Sequence, residues 1–200
     1  MDEKIRCSWA GSTPIYIDYH DNEWGRPVHD DVKLFEMLIL EGMQAGLSWI
    51  TVLNKREAFR EAFDGFDPNK VALYDDTKIQ ELLGNEKIIR NRLKINAAVR
   101  NANAFLSVVD EYGSFDKFLW GYVDYTPIVG HWEKLSDMPV STPLSDKISK
   151  DLKKLGFKFV GSTIIYSFMQ AIGMVNDHIT QCFVYDEILK KYRQKSTCQL

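Results

Sequence analysis

The sequence predicts an all-α fold, and three observations carry that expectation. Apolar residues recur at three and four positions rather than at two along most of the 200-residue chain, which is the spacing of one helix face. Glycine and proline act as stops and starts rather than accumulating in a linker, and no internal repeat or low-complexity stretch interrupts the pattern. With 45% hydrophobic and 12% aromatic residues, the chain can bury one sizeable core.

Asp30 and Asp31 precede a face of Leu34, Phe35, Leu38 and Ile39 that closes near Gly42, so an acidic start and a glycine stop bound the first strong helix. A second helix is expected from about Leu47 through Trp49, Val52 and Leu53 to Phe63. Asp67-Pro68 is a cap followed by proline at the first helical position, opening a short helix through Val71 and Leu73. Asp76 caps another, with Ile79, Leu82 and Leu83 inward and Gly84 at its end. From about Lys87 to Tyr112 the row Ile89, Leu93, Ala97, Asn101 and Phe105 advances in steps of four, bordered by Arg90, Arg92, Lys94 and Arg100. Pro127, Gly130, Pro139 and Pro143 mark a loop. Ser145-Asp146 then caps a helix through Ile148, Leu152 and Leu155; Gly156 ends it, and the tight turn Gly156 to Gly161 leads straight into an apolar helix with Tyr166, Phe168, Met169 and Ala171. After Asn176-Asp177 a last helix is expected to hold His178, Cys182 and Tyr185. Residues 1–188 read as one domain, in one or two lobes, and 189–200 as a polar tail expected to be partly disordered.

The net charge of −3 excludes a protein that coats nucleic acid by bulk charge, so any such surface must be local. Two stretches supply it: 144–161 has five lysines against two aspartates, and 86–100 has five basic residues against one glutamate. Either can equally be a solvated helix face. The longest apolar stretch, Thr163 to Val175, is interrupted by Ser167, Gln170 and Gly173 and is too short to cross a bilayer, and the acidic N-terminus lacks a signal-like apolar run. No membrane association and a cytoplasmic location are therefore expected. Three cysteines, Cys7, Cys182 and Cys198, are an odd number for a disulfide framework.

Metal binding is the better question for those cysteines. His178 and Cys182 lie four apart, which on a helix places them on one face, and Cys7 and His20 lie near the other end. Two thiolates and two imidazoles make a complete tetrahedral zinc set with no open position; two buried cysteines and two unrelated histidines are the alternative.

The strings Tyr19-His20-Asp21-Asn22-Glu23-Trp24-Gly25 and Gln44-Ala45-Gly46-Leu47-Ser48-Trp49, with Gly156-Phe157-Lys158-Phe159-Val160-Gly161 and Val175-Asn176-Asp177-His178, resemble the constitutive bacterial 3-methyladenine DNA glycosylases. The resemblance runs from about Cys7 to Tyr185. It implies a helix-hairpin-helix glycosylase fold, in which DNA crosses a cleft between two helical lobes. It also implies one structural zinc ion on Cys7, His20, His178 and Cys182, joining the chain ends. Gly156, Lys158 and Gly161 become the phosphate-binding hairpin, with Gln44 and Leu47 filling the gap left by an extruded base. The expected partners are alkylated duplex DNA and free 3-methyladenine, handled by a monomer.

Methylation at N3 makes adenine cationic while still attached to the sugar, so its departure is already favoured. Extrusion of the nucleotide, recognition of the ring and attack of water at C1′ then suffice. A cationic ring calls for aromatic faces and a carboxylate. Trp9, Tyr16, Tyr19, Trp24 and Trp49 are the candidate faces, with Tyr19 and Trp49 implied as walls. Glu41 follows the apolar run Leu38-Ile39-Leu40, where a charge is costly to bury. The resemblance makes it the acceptor for the base; by itself it also reads as a solvated or ion-paired helix-end residue. Asp177 is the nearest candidate for the supporting aspartate that this family lacks at its usual place, or else a helix cap or a neighbour of the zinc ligands. A non-catalytic zinc-stabilised module that binds DNA or nucleobases is the competing function; a zinc hydrolase is disfavoured because it needs an open coordination position.

Overall fold

The structure, a computed structural model, describes residues 4–197, with side chains through Lys191. Cys198 and the end of the polar tail lie outside the described residues. The order is α1 (Pro14–Asn22), α2 (Asp31–Gln44), α3 (Trp49–Leu53), α4 (Arg56–Ala62), α5 (Pro68–Val71), α6 (Asp76–Gly84), α7 (Arg92–Tyr112), α8 (Phe115–Trp120), α9 (Pro143–Lys154), α10 (Ser162–Ala171) and α11 (Phe183–Thr197). The helical expectation holds with one small exception. Two-residue strands, β1 (Ile128–Val129) and β2 (Val175–Asn176), pair in parallel, a contact between distant segments too short for any alternation to announce.

Helix α2 is the centre of the molecule. Asp30 caps it by accepting from the Lys33 amide at 2.8 Å, and every residue from Leu34 to Met43 is buried. A helix buried all round packs neighbours on several sides. Here α10, α7, α3 and α8 surround it, and Asp31 reaches across to accept from the Phe115 and Asp116 amides at the start of α8.

Several boundaries differ from the sequence expectation. The helix expected over 47–63 is two, because the chain changes direction at Lys55 (φ −102°, ψ 0°). Arg56 is thereby aimed back at Glu23 and Glu36. Asp75, rather than Asp76, caps α6. Helix α7 begins at Arg92 under an Asn91 cap, so Ile89 lies before it; Leu93, placed in the apolar row, is 73% exposed. Thr142 caps α9 in a reciprocal capping box with Ser145, and Pro143 takes the first helical position. The largest difference is at the end: α11 starts at Phe183, so His178 and Cys182 sit in the irregular segment before it rather than on a helix. The backbone of α11 then stays helical through Thr197, into the expected tail.

Glu36 shows how α2 carries a charge in the core. It lies 2.7 Å from Arg56 Nε, 2.8 Å from Arg60 Nη2 and 3.3 Å from Lys33 Nζ. Burial opposes its ionisation, but these cations hold its carboxyl below the usual range. Arg56→Met leaves Glu36 buried without its main partner and is expected to cost about 3–5 kcal/mol. Urea unfolding at pH 7 measures this; adding Glu36→Gln should recover part of the loss. A single variant within about 0.5 kcal/mol of wild type means that the pair is not structural.

Candidate functional site

The end of α2, the start of α3, α1 and α10 meet around a cavity of about 120 Å³. It is lined by Trp9, Tyr16, Tyr19, Trp24, Glu41, Gln44, Trp49, Ser167 and Gln170. All five aromatic candidates and Glu41 therefore come together in one place. Trp9 touches Tyr16 (centroids 5.1 Å), Tyr19 (6.3 Å) and Trp24 (4.9 Å), while Tyr19 and Trp49 sit 5.4 Å apart. The cavity suits one planar ring system rather than an extended ligand.

Glu41 differs sharply from Glu36, although both lie on α2. It is 4% exposed, has no cation beside it, and its Oε2 accepts no hydrogen bond. Burial alone pushes its pKa up to about 8. Neither the solvated nor the ion-paired reading of this residue holds. Trp49 Nε1 is the other buried polar side-chain atom without a partner among the described residues. Unpartnered polar groups are costly, so two of them lining one cavity mark a place where a ligand supplies the missing bonds. Burial, and then the Glu41 charge, also raise the Tyr16 and Tyr19 phenols above their ordinary range.

A recess of about 280 Å³ adjoins the cavity and shares Glu41, Gln44 and Ser167 with it. The loop Ala45 to Leu47 forms one side, with Leu47 42% exposed, and Thr163 and Ile164 at the start of α10 form the other. Gln44 and Leu47 thus stand at the cavity mouth.

The turn from α9 to α10 is built by local rules. Gly156 takes a left-handed φ of +95°, the Phe157 amide donates to Leu152 O and the Gly156 amide to Lys153 O, and Phe157 is buried. The Lys158 backbone is already engaged: its N–H donates to Asn101 Oδ1 (2.7 Å) and its carbonyl accepts from Asn101 Nδ2 (3.0 Å). The amides opening α10, from Gly161 onward, lack helical acceptors, as at any helix start.

Helix α7 does not present the uniformly basic face that its sequence suggested. Lys94 is buried and donates to Met43 O (2.8 Å) and Ala45 O (2.6 Å), capping the end of α2. Two turns along, Asn101 clamps the α9–α10 turn. One helix therefore holds both elements that border the recess.

Cys7, His20, His178 and Cys182 are all buried, and their ligand atoms lie within 4.8 Å of one another. Sulfur to nitrogen separations are 3.6 Å (Cys7 to His178 Nδ1), 3.5 Å (Cys182 to His20 Nε2) and 3.5 Å (Cys182 to His178 Nδ1). The inference from helical i,i+4 spacing was wrong about the local structure, yet the four side chains do converge. The outer ring nitrogens are occupied: His20 Nδ1 lies 2.8 Å from Asp21, itself gripped by Arg6, and His178 Nε2 lies 3.0 Å from the Trp24 carbonyl. The inner nitrogens, His178 Nδ1 and His20 Nε2, the latter also 3.3 Å from the Cys7 amide, face the two sulfurs, and the set can hold a metal ion. The cluster also backs the cavity wall, with Trp9 against His20 and Trp24 against His178.

Asp177 is fully buried, caps no helix and, although it directly precedes His178, makes no side-chain hydrogen bond to the cysteine–histidine cluster. It accepts from Trp132 Nε1 (2.7 Å), Tyr166 Oη (2.5 Å) and Gln170 Nε2 (2.8 Å). Ser167 and Gln170 were missed as lining residues. Their signal was the polar interruption of an otherwise apolar run, which the sequence shows but does not interpret.

A helical protein whose open-mouthed aromatic cavity holds an unpaired buried carboxyl group, with a turn-to-helix element beside the mouth, has a site suited to one planar, polar ring. The chain belongs to the methyladenine glycosylase family, whose model matches residues 9–185. It is 53% identical to DNA-3-methyladenine glycosylase 1 of Escherichia coli (strain K12) over 180 residues, 90% of this chain and 96% of that one. A crystal structure of 3-methyladenine DNA glycosylase I superimposes with a TM-score of 0.87 at 54% identity, covering 90% of this chain and 98% of the other. Another, of a variant of 3-methyladenine DNA glycosylase I in complex with 3-methyladenine, gives a TM-score of 0.87 at 40% identity, covering 89% and 96%.

Proposed function

We propose that this protein is a monofunctional DNA glycosylase that releases 3-methyladenine from alkylated duplex DNA. The observation that carries the reading is the uncompensated Glu41 within a ring of aromatic side chains. A neutral ligand leaves the cost of burying a carboxylate in place, whereas a cationic ring offsets it and gains from the aromatic faces. Tyr19 and Trp49 serve as walls for the flipped base, and Glu41 accepts from its exocyclic amino group. Leu47 and Gln44 occupy the gap in the stack, as apolar wedges do elsewhere. The N-terminal amides of α10 with Lys158 and the Gly156–Gly161 turn grip the backbone phosphate, in the manner of a helix-hairpin-helix element.

The reaction then follows from recognition. The C1′–N9 bond breaks with its electron pair going to the cationic base, which leaves neutral, water adds at C1′ and releases a proton to solvent, and no lysine lies among the cavity-lining residues to form a covalent intermediate. Lys94, the buried lysine, is committed to the end of α2. We further propose that Cys7, His20, His178 and Cys182 hold zinc. A tetrahedral zinc ion with nitrogen at about 2.0 Å and sulfur at about 2.3 Å sets sulfur–nitrogen separations of about 3.5 Å, and the three close sulfur–nitrogen pairs of the cluster support the reading. With four protein ligands its contribution is structural. No helix among the described residues is long and apolar enough to cross a membrane, and we place the enzyme in the cytoplasm as a monomer.

The test is chromatography of free bases released from methylated duplex DNA. Release of 3-methyladenine with the strand left intact, and no adduct trapped by borohydride, is expected. Duplex binding without base release would favour a non-catalytic binding module; a trapped adduct would remove the monofunctional mechanism.

A further inference from the structure

The exocyclic amino group of the base carries two hydrogens that point in different directions, so a carboxylate that meets one of them from Glu41 leaves the other for a second acceptor on the opposite side. Gln170 meets the requirement. It lines the cavity with Glu41, one turn beyond Ser167 on α10. Its amide orientation is not free: a carboxylate only accepts, so the atom facing Asp177 Oδ2 at 2.8 Å must be Nε2. No donor among the described residues engages Oε1.

The aspartate that fixes this orientation is itself fixed. Trp132 donates to Oδ1 and Tyr166 to Oδ2, and the residue is fully buried between them. Gly130 leaves room for this arrangement, since a Cβ there would come within 2.3 Å of Trp132 Nε1 and 2.4 Å of Asp177 Oδ1. Three donors thus satisfy and immobilise the buried carboxylate, and one of them, Gln170, belongs to the cavity wall.

We propose that Gln170 is a specificity-determining residue whose Oε1, presented by the positioning residue Asp177, accepts from the 6-amino group of the extruded base. The assignment rests on the glycosylase reading above and sharpens it. A purine with an amino group at position 6 is accepted by both Glu41 and Gln170. A 3-methylated purine with a carbonyl there sets its oxygen against Gln170 Oε1, two acceptors with no proton between them. A site built to pair a polar group discriminates strongly against a ligand that cannot pair with it.

The experiment compares binding of free 3-methyladenine and free 3-methylguanine, and their release from methylated duplex DNA, by wild type, Gln170→Met and Asp177→Asn. Methionine keeps the length of the side chain and removes the acceptor. For Gln170→Met the affinity ratio of 3-methyladenine to 3-methylguanine is expected to fall about tenfold or more, mainly by weaker 3-methyladenine binding, with metal content and unfolding midpoint unchanged. Asp177→Asn, which allows the Gln170 amide to turn over, should lower the same ratio. An unmoved ratio in Gln170→Met, or equal losses for both bases, overturns the assignment while leaving the glycosylase reading intact. A wild type that handles neither base overturns both.

Discussion

Glu41→Gln is expected to lose most base release while gaining stability at neutral and alkaline pH. The two effects have one cause, a carboxylate buried without a partner until the cationic base arrives. Removing it leaves the cationic ring in a desolvated pocket with no opposing charge, and release of 3-methyladenine should fall about 100-fold or more. The stability effect has a definite sign. The folded-state pKa of about 8 lies above the value of an unfolded glutamate. Glu41 therefore favours the fold only while protonated, and that contribution is lost as pH rises from the unfolded pKa through about 8. Wild type should lose on the order of 3 kcal/mol between pH 4 and pH 7 from this group alone, and Glu41→Gln should not. Denaturant unfolding across that range, compared between the two proteins, measures the difference. In wild type kcat/KM for base release should also climb toward pH 8 as the free enzyme gains the carboxylate, and the residual activity of the variant should be flat. Parallel stability profiles would show that Glu41 finds a partner in solution.

On the proposed zinc site, Cys182→Ser, or treatment with a strong chelator, is expected to be strongly destabilising. Cys7 precedes the turn that carries Trp9, His20 follows Tyr19, and the Trp24 carbonyl lies against His178. The ligands are therefore interleaved in sequence with the cavity walls. An ion on all four would tie the N-terminal segment to the residues before α11, closing a loop of most of the chain. Loss of one ligand should cost about 3–5 kcal/mol or more, a fall in Tm of roughly 10 °C for a chain of this length. Base release should fall with it, and readdition of zinc should restore the chelated wild type but not Cys182→Ser. Elemental analysis with thermal unfolding settles the matter. A metal-free wild type of unchanged Tm would reduce the cluster to two buried thiols beside two imidazoles.

Helix positions were legible because they depend on neighbours. The Asp30 cap and the apolar face of Leu34, Phe35 and Leu38 announce α2, and Gly156 announces the turn after α9. Errors arose where a local signal competed with a distant partner. The basic border of α7 read as solvent-facing, but Lys94 turns inward because the carbonyls ending α2 need a donor there. His178 and Cys182 read as a helical pair, yet the strand β2 and the approach of Cys7 and His20 hold them in irregular chain.

By itself the sequence determined the helical class, the four metal-ligand candidates, the aromatic set and the presence of a glutamate in an apolar run. These follow from residue type and short-range spacing. Only the tertiary structure decided that Glu36 is neutralised by Arg56 and Arg60 while Glu41, five residues later on the same helix, has no cation at all. It alone placed Asp177 within hydrogen-bond distance of Gln170. A buried charge takes its chemistry from what packs against it, and those partners come from segments tens of residues away whose approach no local pattern records.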